Sequence, residues 1–284
     1  MIRTLPNSRT YSTFFNLYIV VYFLFLFAPL AVTCILAFND SQFPALPWKG
    51  FSLDWFFADS SYRTGIFHDQ RNLDSIFVSA RTAFSVAILS TVVGTLGAFL
   101  FEQEEFRFKG FLYFLMLLPL VVPGVILGIS ILLFSNTLGI FFEETFNIDV
   151  GLFRPGFWLV VLGQFSFITT FVTLVVSARL KKFDPTLEEA ALNLGANRME
   201  VIWHITLKFL RPAIIGACAV AFLMSFENFN TTLFLVGSEP TLPINLYLQV
   251  RDGSTPVINA VSFLLIFGTS FAALANLYFS KNNR

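Results

Sequence analysis

The sequence predicts an all-α polytopic membrane protein with six transmembrane helices. Of its 284 residues, 56% are hydrophobic and 13% are charged, whereas a soluble globular protein carries roughly 25% charged residues. The apolar residues fall in six runs, each near the roughly 20 residues that a helix needs to cross a ~30 Å hydrocarbon core. Inside a membrane the backbone must satisfy its own hydrogen bonds, which favours helices. The runs are 14–38, 79–101, 110–134, 156–178, 210–236 and 256–280.

The composition also argues against several other functions. The net charge is zero, so nothing indicates nucleic-acid binding. Cys34 and Cys218 lie inside apolar runs, where cysteines are usually small core hydrophobes, and they form neither a disulfide framework nor a metal site. His68 and His204 are far apart without ligand-spaced partners. We therefore predict no metal and no cofactor. The 38 Phe residues are interpreted as bulk that faces lipid.

The first run has a signal peptide as an alternative, because Arg3 and Arg9 precede it. Signal h-regions span about 7–15 residues, and this apolar core is longer. We interpret the run as a retained first helix at about 14–38, followed by a helical core at about 75–280, all within a single domain of residues 1–284.

Lys and Arg predict the orientation, because cytoplasmic loops carry an excess of them. With the N-terminus inside, the cytoplasmic side holds Arg3, Arg9, Arg107, Lys109, Arg179, Lys181, Lys182, Arg198, Lys208, Arg211, Lys281 and Arg284. The outer side holds Lys49, Arg63, Arg71, Arg81, Arg154 and Arg251. Both termini are thus predicted to be cytoplasmic. The outer segments are net acidic, which would modestly attract cations; ordinary solvated charges are the alternative.

Several spans contain residues that affect how the helices pack or where they break. Gly94, Gly97, Gly124 and Gly128 allow helices to approach closely in lipid. Pro119 and Pro123 each remove a backbone N–H and disfavour helix just upstream. The third helix is therefore either kinked for packing or broken to line a substrate path. Gln164, the polar residue whose burial in the fourth span costs most, is expected to face another helix or a cavity.

A polar stretch between the fourth and fifth spans, 184–207, has the sequence DPTLEEAALNLGANRMEVIWHITL. Asp184 caps a helix with Pro185 at its first position, or Thr186 caps it with Glu189 closing a capping box. The helix is predicted to end at Gly195 in a left-handed turn. A second helix is predicted from about Asn197, before the chain re-enters the membrane at Leu210.

This stretch resembles the EAA loop of ATP-binding cassette importer permeases. Glu189-Ala190-Ala191, Gly195, Ile205 and Leu207 match the pattern, while Lys208 occupies the usual position of Pro. The resemblance extends to the second permease subunit of spermidine/putrescine importers through Phe38-Asn39-Asp40-Ser41, Trp48-Lys49-Gly50-Phe51 with Trp55, and Arg179-Leu180-Lys181-Lys182-Phe183-Asp184. It covers nearly the whole chain.

The resemblance implies a type I ABC importer permease fold with a cytoplasmic coupling helix in the loop 184–208. It implies a bacterial inner membrane location, a homologous second permease subunit, a periplasmic substrate-binding protein and an ATPase dimer that binds and hydrolyses the ATP. The chain itself would not be an enzyme. The residues predicted to dock the ATPase are Glu188, Glu189, Ala190, Ala191, Gly195 and Ala196. An interfacial helix that docks nothing is the alternative.

The predicted substrate contacts centre on Glu227, an acid that lies within a predicted span. A charge at membrane depth costs at least about 2.5–3.5 kcal/mol, which makes such a residue a functional candidate. On a helix, Glu227, Asn230 and Thr231 would share a face. A Glu bonded to a neighbouring helix of the partner permease is the alternative. The full predicted path comprises Glu227, Asn228, Asn230, Thr231, Gln164 and Pro123.

The polyamine permeases carry two acids in the stretch that matches Ser225-Phe226-Glu227-Asn228, whereas this chain keeps one. We therefore predict import of a small organic cation such as spermidine or putrescine, with an amino-acid-like solute or another amine as the alternative. A secondary transporter would need midplane ion sites and an internal repeat, and a membrane enzyme would need clustered catalytic groups; neither pattern is evident.

Overall fold

The structure is a computed structural model that describes residues 9–60, 62–253 and 255–282. Long helices dominate it. They are α1 (Arg9–Leu36), α2 (Asp54–Phe57), α3 (Gln70–Gln103), α4 (Lys109–Val121), α5 (Gly124–Phe146), α6 (Phe157–Leu180), α7 (Thr186–Asn193), α8 (Arg198–Val201), α9 (Leu207–Phe226), α10 (Thr232–Leu235), α11 (Leu242–Gly253) and α12 (Val257–Asn282). A 3₁₀ turn spans Gly151–Phe153, a π-helical turn spans Ile202–Thr206, and strands β1 (Asp59–Ser60) and β2 (Arg63–Thr64) form a small antiparallel hairpin.

The helical membrane architecture is confirmed. In the described part of the chain, 5 helices are long and apolar enough to cross a membrane: Thr10–Leu36, Gln70–Gln103, Gly124–Phe146, Phe157–Leu180 and Arg198–Phe226. The sixth predicted run lies in α12, which is 26 residues long and contains a shorter apolar stretch at Val257–Ser270.

The third predicted span is wrong in its boundaries. The run 110–134 is divided between α4 and α5, and α5 continues to Phe146. Val122 and Pro123 separate the two helices with extended ψ angles of 131° each. Pro123 cannot donate a backbone hydrogen bond, and its ring disfavours the helical conformation at Val122. Pro119 is accommodated inside α4.

The fifth predicted span is also wrong in its upper part. The run 210–236 was predicted as one helix, but α9 ends at Phe226 and the next helix, α10, has 4 residues. Asn228 explains the interruption, because its Oδ1 atom accepts hydrogen bonds from the backbone N (3.2 Å) and Oγ1 (2.9 Å) of Thr232. Its side chain thus replaces a helical backbone carbonyl. Glu227, Asn230 and Thr231 therefore do not share a helical face.

The chain folds into two compact units. The first comprises the described residues of Met1–Leu73 and Leu248–Arg284, and the second comprises Asp74–Tyr247. The single domain proposed from the sequence remains a prediction.

In the first unit, Asn39 holds together the loop that follows α1. Its Nδ2 atom donates to the carbonyls of Ala45 (3.3 Å) and Pro47 (3.2 Å), and its Oδ1 atom accepts from the Lys49 backbone N (2.8 Å). The indole of Trp55 donates to the Asn39 carbonyl at 3.0 Å. The loop is therefore compact.

Arg63 also closes this loop. Its guanidinium donates to Asp40 at 2.6 Å and to Asp54 at 2.8 Å. The hydrogen bond with Asp40, more than any other contact, raises the pKa of Arg63 above its ordinary value. Arg63 therefore cross-links the loop through two ion pairs.

In the second unit, α6 is the central helix. Its buried side chains pack with those of α3 and α9 in one core that includes Val86, Ile168, Val172, Ala217 and Ala221. A Cβ atom added at Gly94 of α3 would lie 2.8 Å from Cβ of Val172, and one at Gly97 would lie 3.1 Å from Oγ1 of Thr173. The predicted close approach at these two glycines is confirmed.

Candidate functional site

At the start of the predicted docking loop, Pro185 occupies the N-cap position of α7, and Asp184, one of the two predicted capping residues, supplies the side-chain hydrogen bonds just before it. Oδ1 of Asp184 accepts from the backbone N (3.0 Å) and from Oγ1 (2.8 Å) of Thr186. The Thr186 hydroxyl is thus directed back to Asp184, so the alternative box with Glu189 does not form. The Asp184 carboxylate also places negative charge at the positive end of the α7 dipole.

Gly195 makes the predicted left-handed turn after α7, with φ of 93°. A Cβ atom added there would meet nothing within 4 Å. The constraint at this position is therefore the backbone conformation rather than space, and glycine is the residue that adopts it without penalty.

The helix predicted after Gly195 begins at Asn197, as expected. A capping box forms there, because Asn197 N donates to Oε2 of Glu200 and Glu200 N donates to Oδ1 of Asn197, each at 2.9 Å. The chain runs from α8 through the π turn into α9 as a helical segment of 29 residues, Arg198–Phe226. Lys208 retains its backbone N–H and lacks a ring, so the helix continues where the family usually has Pro.

An apolar surface lies on the outside of this loop. Its large exposed side chains are Leu187 (51%), Leu192 (41%), Leu194 (89%), Met199 (71%) and Trp203 (66%). Exposed clusters of this kind are typical of interaction sites. Glu189, Ala190 and Gly195 are exposed beside them, and Ala191 and Ala196 are half-buried. Five of the six predicted docking residues therefore lie at or near an accessible surface.

Glu188, the sixth predicted docking residue, contacts its own chain. Its Oε1 atom accepts a hydrogen bond of 2.5 Å from Oγ1 of Thr206, at the end of the π turn. Thr206 is fully buried. Sequence reasoning missed Thr206, because the π turn that directs its side chain toward α7 has no pattern signal of its own.

A second constellation lies at the other end of α9, around Gln164. This side chain is fully buried, and its Nε2 atom donates to Oγ1 of Thr232 at 2.8 Å. The Ser225 hydroxyl donates to Oε1 of Gln164. Since Thr232 donates onward to Asn228, four polar side chains form one network: three on α6, α9 and α10, and one on the segment between α9 and α10. The expectation that Gln164 faces another helix is confirmed.

Thr231 lies between three glycines. A Cβ atom at Gly128 would lie 2.7 Å from the Thr231 carbonyl oxygen, one at Gly124 would lie 3.2 Å from Thr231 Oγ1, and one at Gly163 would lie 3.7 Å from Thr231 Cγ2. The segment 227–231 can pack against α5 and α6 because these positions lack side chains. Since Gly124 directly follows Pro123, the interruptions in the third and fifth predicted spans meet.

Glu227 and Asn230 are exposed, as is Pro123. Glu227 forms the C-cap of α9. Among the residues that the structure describes, no hydrogen-bond or ion-pair partner is seen for its carboxylate. The alternative, a bond to a helix of the partner permease, stays a prediction. An exposed carboxylate can accept hydrogen bonds from an ammonium group.

The six residues predicted for the substrate path thus separate into two groups. Gln164, Asn228 and Thr231 support the interrupted segment, while Glu227, Asn230 and Pro123 are accessible. Sequence reasoning missed Ser225 and Thr232, which complete the Gln164 network. The cost of burying an amide was a signal that such partners exist, but it did not identify them.

The fold has a counterpart among solved structures. It is similar to a chain from the crystal structure of a bacterial ABC transporter involved in the import of the acidic polysaccharide alginate, with a TM-score of 0.67, 14% sequence identity, and coverage of 98% of this chain and 99% of that chain. The predicted permease fold of type I ABC importers is confirmed.

The sequence comparisons then place the chain in a family. Residues 90–283 match the model of the binding-protein-dependent transport system inner membrane component. This protein belongs to that family, and it is accordingly a multi-pass inner-membrane permease.

Two relatives match most of the chain. The spermidine/putrescine transport system permease protein PotC of Haemophilus influenzae is 27% identical over 96% of this chain and 99% of its own length. The putrescine transport system permease protein PotI of Escherichia coli is 31% identical over 86% and 82%, respectively. The molybdenum transport system permease protein ModB of Mycobacterium bovis is 29% identical over 70% and 76%.

Proposed function

We propose that this chain is a permease subunit of an ATP-driven importer that moves a small organic cation of the polyamine type by alternating access. The observation that carries this proposal is the helical segment Arg198–Phe226. One end lies in the apolar docking surface, and the other end carries the exposed carboxylate of Glu227. At about 1.5 Å per residue, the 29 residues span roughly 43 Å, enough to link the two faces of a membrane.

The partners follow from the two ends of this segment. An ATPase dimer docks at the exposed loop, where Glu189, Ala190 and Gly195 are accessible, and it binds and hydrolyses the ATP. A homologous second permease subunit completes the path, and a periplasmic binding protein delivers the substrate. Both termini lie in the cytoplasm, because the excess of Lys and Arg flanks the docking-loop side. The chain itself catalyses no reaction and binds no cofactor.

The proposed cargo rests on Glu227 and on the names of two relatives. PotC and PotI are named for spermidine and putrescine transport, and a carboxylate suits a protonated amine. A different small solute is the second candidate. It is favoured by Asn228, an amide where a second acid would strengthen cation binding, and by a relative that is named for molybdenum transport.

Uptake in reconstituted vesicles tests this function. The chain is co-expressed with the permease, ATPase and binding-protein subunits that accompany it, and uptake of labelled putrescine and spermidine is measured. We expect uptake that requires ATP and that ceases with a catalytically inactive ATPase. Uptake that persists with the inactive ATPase would indicate a secondary transporter. ATP-dependent complexes that import neither amine would favour the second candidate.

A further inference from the structure

The π turn determines which residues at the start of the long segment face the protein. Val201, Thr206 and Leu210 are buried, at spacings of five and then four residues. A π turn brings residues five apart onto one face, whereas an α-helix does so for residues three or four apart. The turn at Ile202–Thr206 therefore points the side chain of Thr206, rather than that of a neighbouring residue, toward α7.

Glu188 meets Thr206 from the other side. The two adjacent acids of α7 differ, since Glu188 is half-buried while Glu189 is exposed. The Glu188 carboxylate accepts the Thr206 hydrogen bond at 2.5 Å, and the Thr206 side chain is fully buried. A hydrogen bond to a charged acceptor stabilises more than one between neutral groups, and burial protects this one from competition with water.

We propose that Glu188 and Thr206 form an intrachain latch, a hydrogen bond that fixes the docking helix α7 to the base of α9. The two residues position the docking surface and do not contact the ATPase. With the latch closed, a displacement of α7 by the ATPase carries α9 with it. The other end of α9 holds Ser225, which bonds Gln164, and Glu227. This inference rests on the proposed function, because it assumes that α7 docks an ATPase.

The contact also explains the orientation of its neighbours. Side chains at adjacent helix positions do not face the same direction. Fixing Glu188 inward therefore turns Glu189 and Ala190 outward, on the side of Leu187. Breaking the latch leaves α7 helical but allows it to turn about its axis. The docking residues are then no longer held in one orientation.

The test uses the assembled complex in vesicles and two pairs of variants. Glu188→Ala and Thr206→Val each remove the hydrogen bond, whereas Glu188→Gln and Thr206→Ser each retain one acceptor or one donor. The measured quantities are the Kd of the ATPase subunit for vesicles that contain the permease, and the stimulation of ATP hydrolysis by the binding protein with putrescine. The first quantity needs no substrate, so it remains informative if the cargo proposal fails.

We expect Glu188→Ala and Thr206→Val each to weaken ATPase binding about tenfold, the scale of one hydrogen bond to a charged group. The double variant is expected to match either single variant, because both remove the same contact. Glu188→Gln and Thr206→Ser are expected to recover most of the affinity. As controls, Glu105→Ala removes an acid from the loop before α4, and Thr137→Val removes a hydroxyl that bonds within its own helix; neither should change the Kd.

Three results would overturn the latch. Glu188→Gln as weak as Glu188→Ala, together with normal binding by Thr206→Val, would show that the charge contacts the ATPase. Additive losses in the double variant would show two independent roles. Equal loss of assembled complex in all four variants would show a role in folding alone. If the unaltered permease binds the ATPase but imports no amine, the cargo proposal fails. The Kd values of the variants then decide by themselves whether the latch exists.

Discussion

Nε2 of Gln164 lies 2.8 Å from Oγ1 of Thr232 and donates a hydrogen bond to it, which joins α6 to α10 across the interrupted end of the fifth span. Gln164 also accepts from Ser225 of α9. One buried amide thus connects three helices at the place where the regular backbone bonding of a span stops. A buried network of this kind favours one packed arrangement of the helices when each of its polar groups has a hydrogen-bond partner.

Replacing Gln164 tests this network. Gln164→Leu leaves the buried Ser225 hydroxyl without its acceptor, and such an unsatisfied group costs about 1–3 kcal/mol. The Thr232 hydroxyl loses the hydrogen bond from Gln164 but still donates to Asn228. We expect a clear fall in the thermal unfolding temperature of the purified protein in detergent. Gln103→Leu is the matched control, since Gln103 is exposed at the end of α3. Equal thermal stability of the two variants would contradict the role assigned to Gln164.

Glu227 is predicted to contact the cargo. Glu227→Gln removes the charge but keeps the shape, so we expect reduced amine uptake while the complex still assembles and hydrolyses ATP. Glu144→Gln serves as a control, because it neutralises another exposed acid, at the end of α5, and should not alter uptake. Unchanged uptake of every amine tested with the Glu227 variant would exclude this residue from the path.

Gly195 is predicted to be needed for its backbone conformation. At φ of 93°, a β-branched residue is strained, and even ordinary residues lose roughly 1–2 kcal/mol in the left-handed region. We expect Gly195→Val to reduce co-purification of the ATPase and to lower transport. Gly110→Val is the control, because Gly110 also has open space around its Cβ position but lacks a positive φ. Normal co-purification and transport in the Gly195 variant would refute the docking role of this turn.

Gly128 tests the packing of Thr231. An added Cβ atom would lie 2.7 Å from the Thr231 carbonyl oxygen, and overpacking of this kind costs typically about 1–3 kcal/mol. Gly128→Ala should therefore lower the unfolding temperature and displace the segment 227–231, which reduces uptake. Gly139→Ala, whose Cβ atom would meet Phe153 at an ordinary 3.5 Å, should do neither. Indistinguishable unfolding temperatures would argue against tight packing at Thr231.

The docking loop shows which features neighbouring residues in the sequence can predict and which they cannot. The cap at Asp184, the left-handed turn at Gly195 and the helix start at Asn197 depend on neighbouring residues, and the sequence predicts all three. The Glu188–Thr206 contact joins positions 18 residues apart and depends on a π turn, so local propensities could not predict it.

The substrate region shows the same division. Pro119 and Pro123 predict a helix that is either kinked or broken, because neither residue has a backbone N–H. The structure shows that the break is at Pro123 and that Pro119 lies inside α4. The end of α9 at Phe226 was not predicted, because hydropathy continues through that point and the interruption comes from the Asn228 side chain. Its partner Thr232 is in turn held by Gln164, 68 residues away.

The amino-acid sequence by itself determined the membrane-spanning helices, the position of the docking loop and the candidacy of Glu227. These follow from hydrophobic run length, backbone stereochemistry and the cost of a charge in a membrane, all of which are local. Only the tertiary structure decided that Glu188 is held by Thr206, that Gln164 joins three helices, and that the interrupted segments at Pro123 and Glu227 meet. These are contacts between distant positions, which arise when helices pack and buried polar groups find partners.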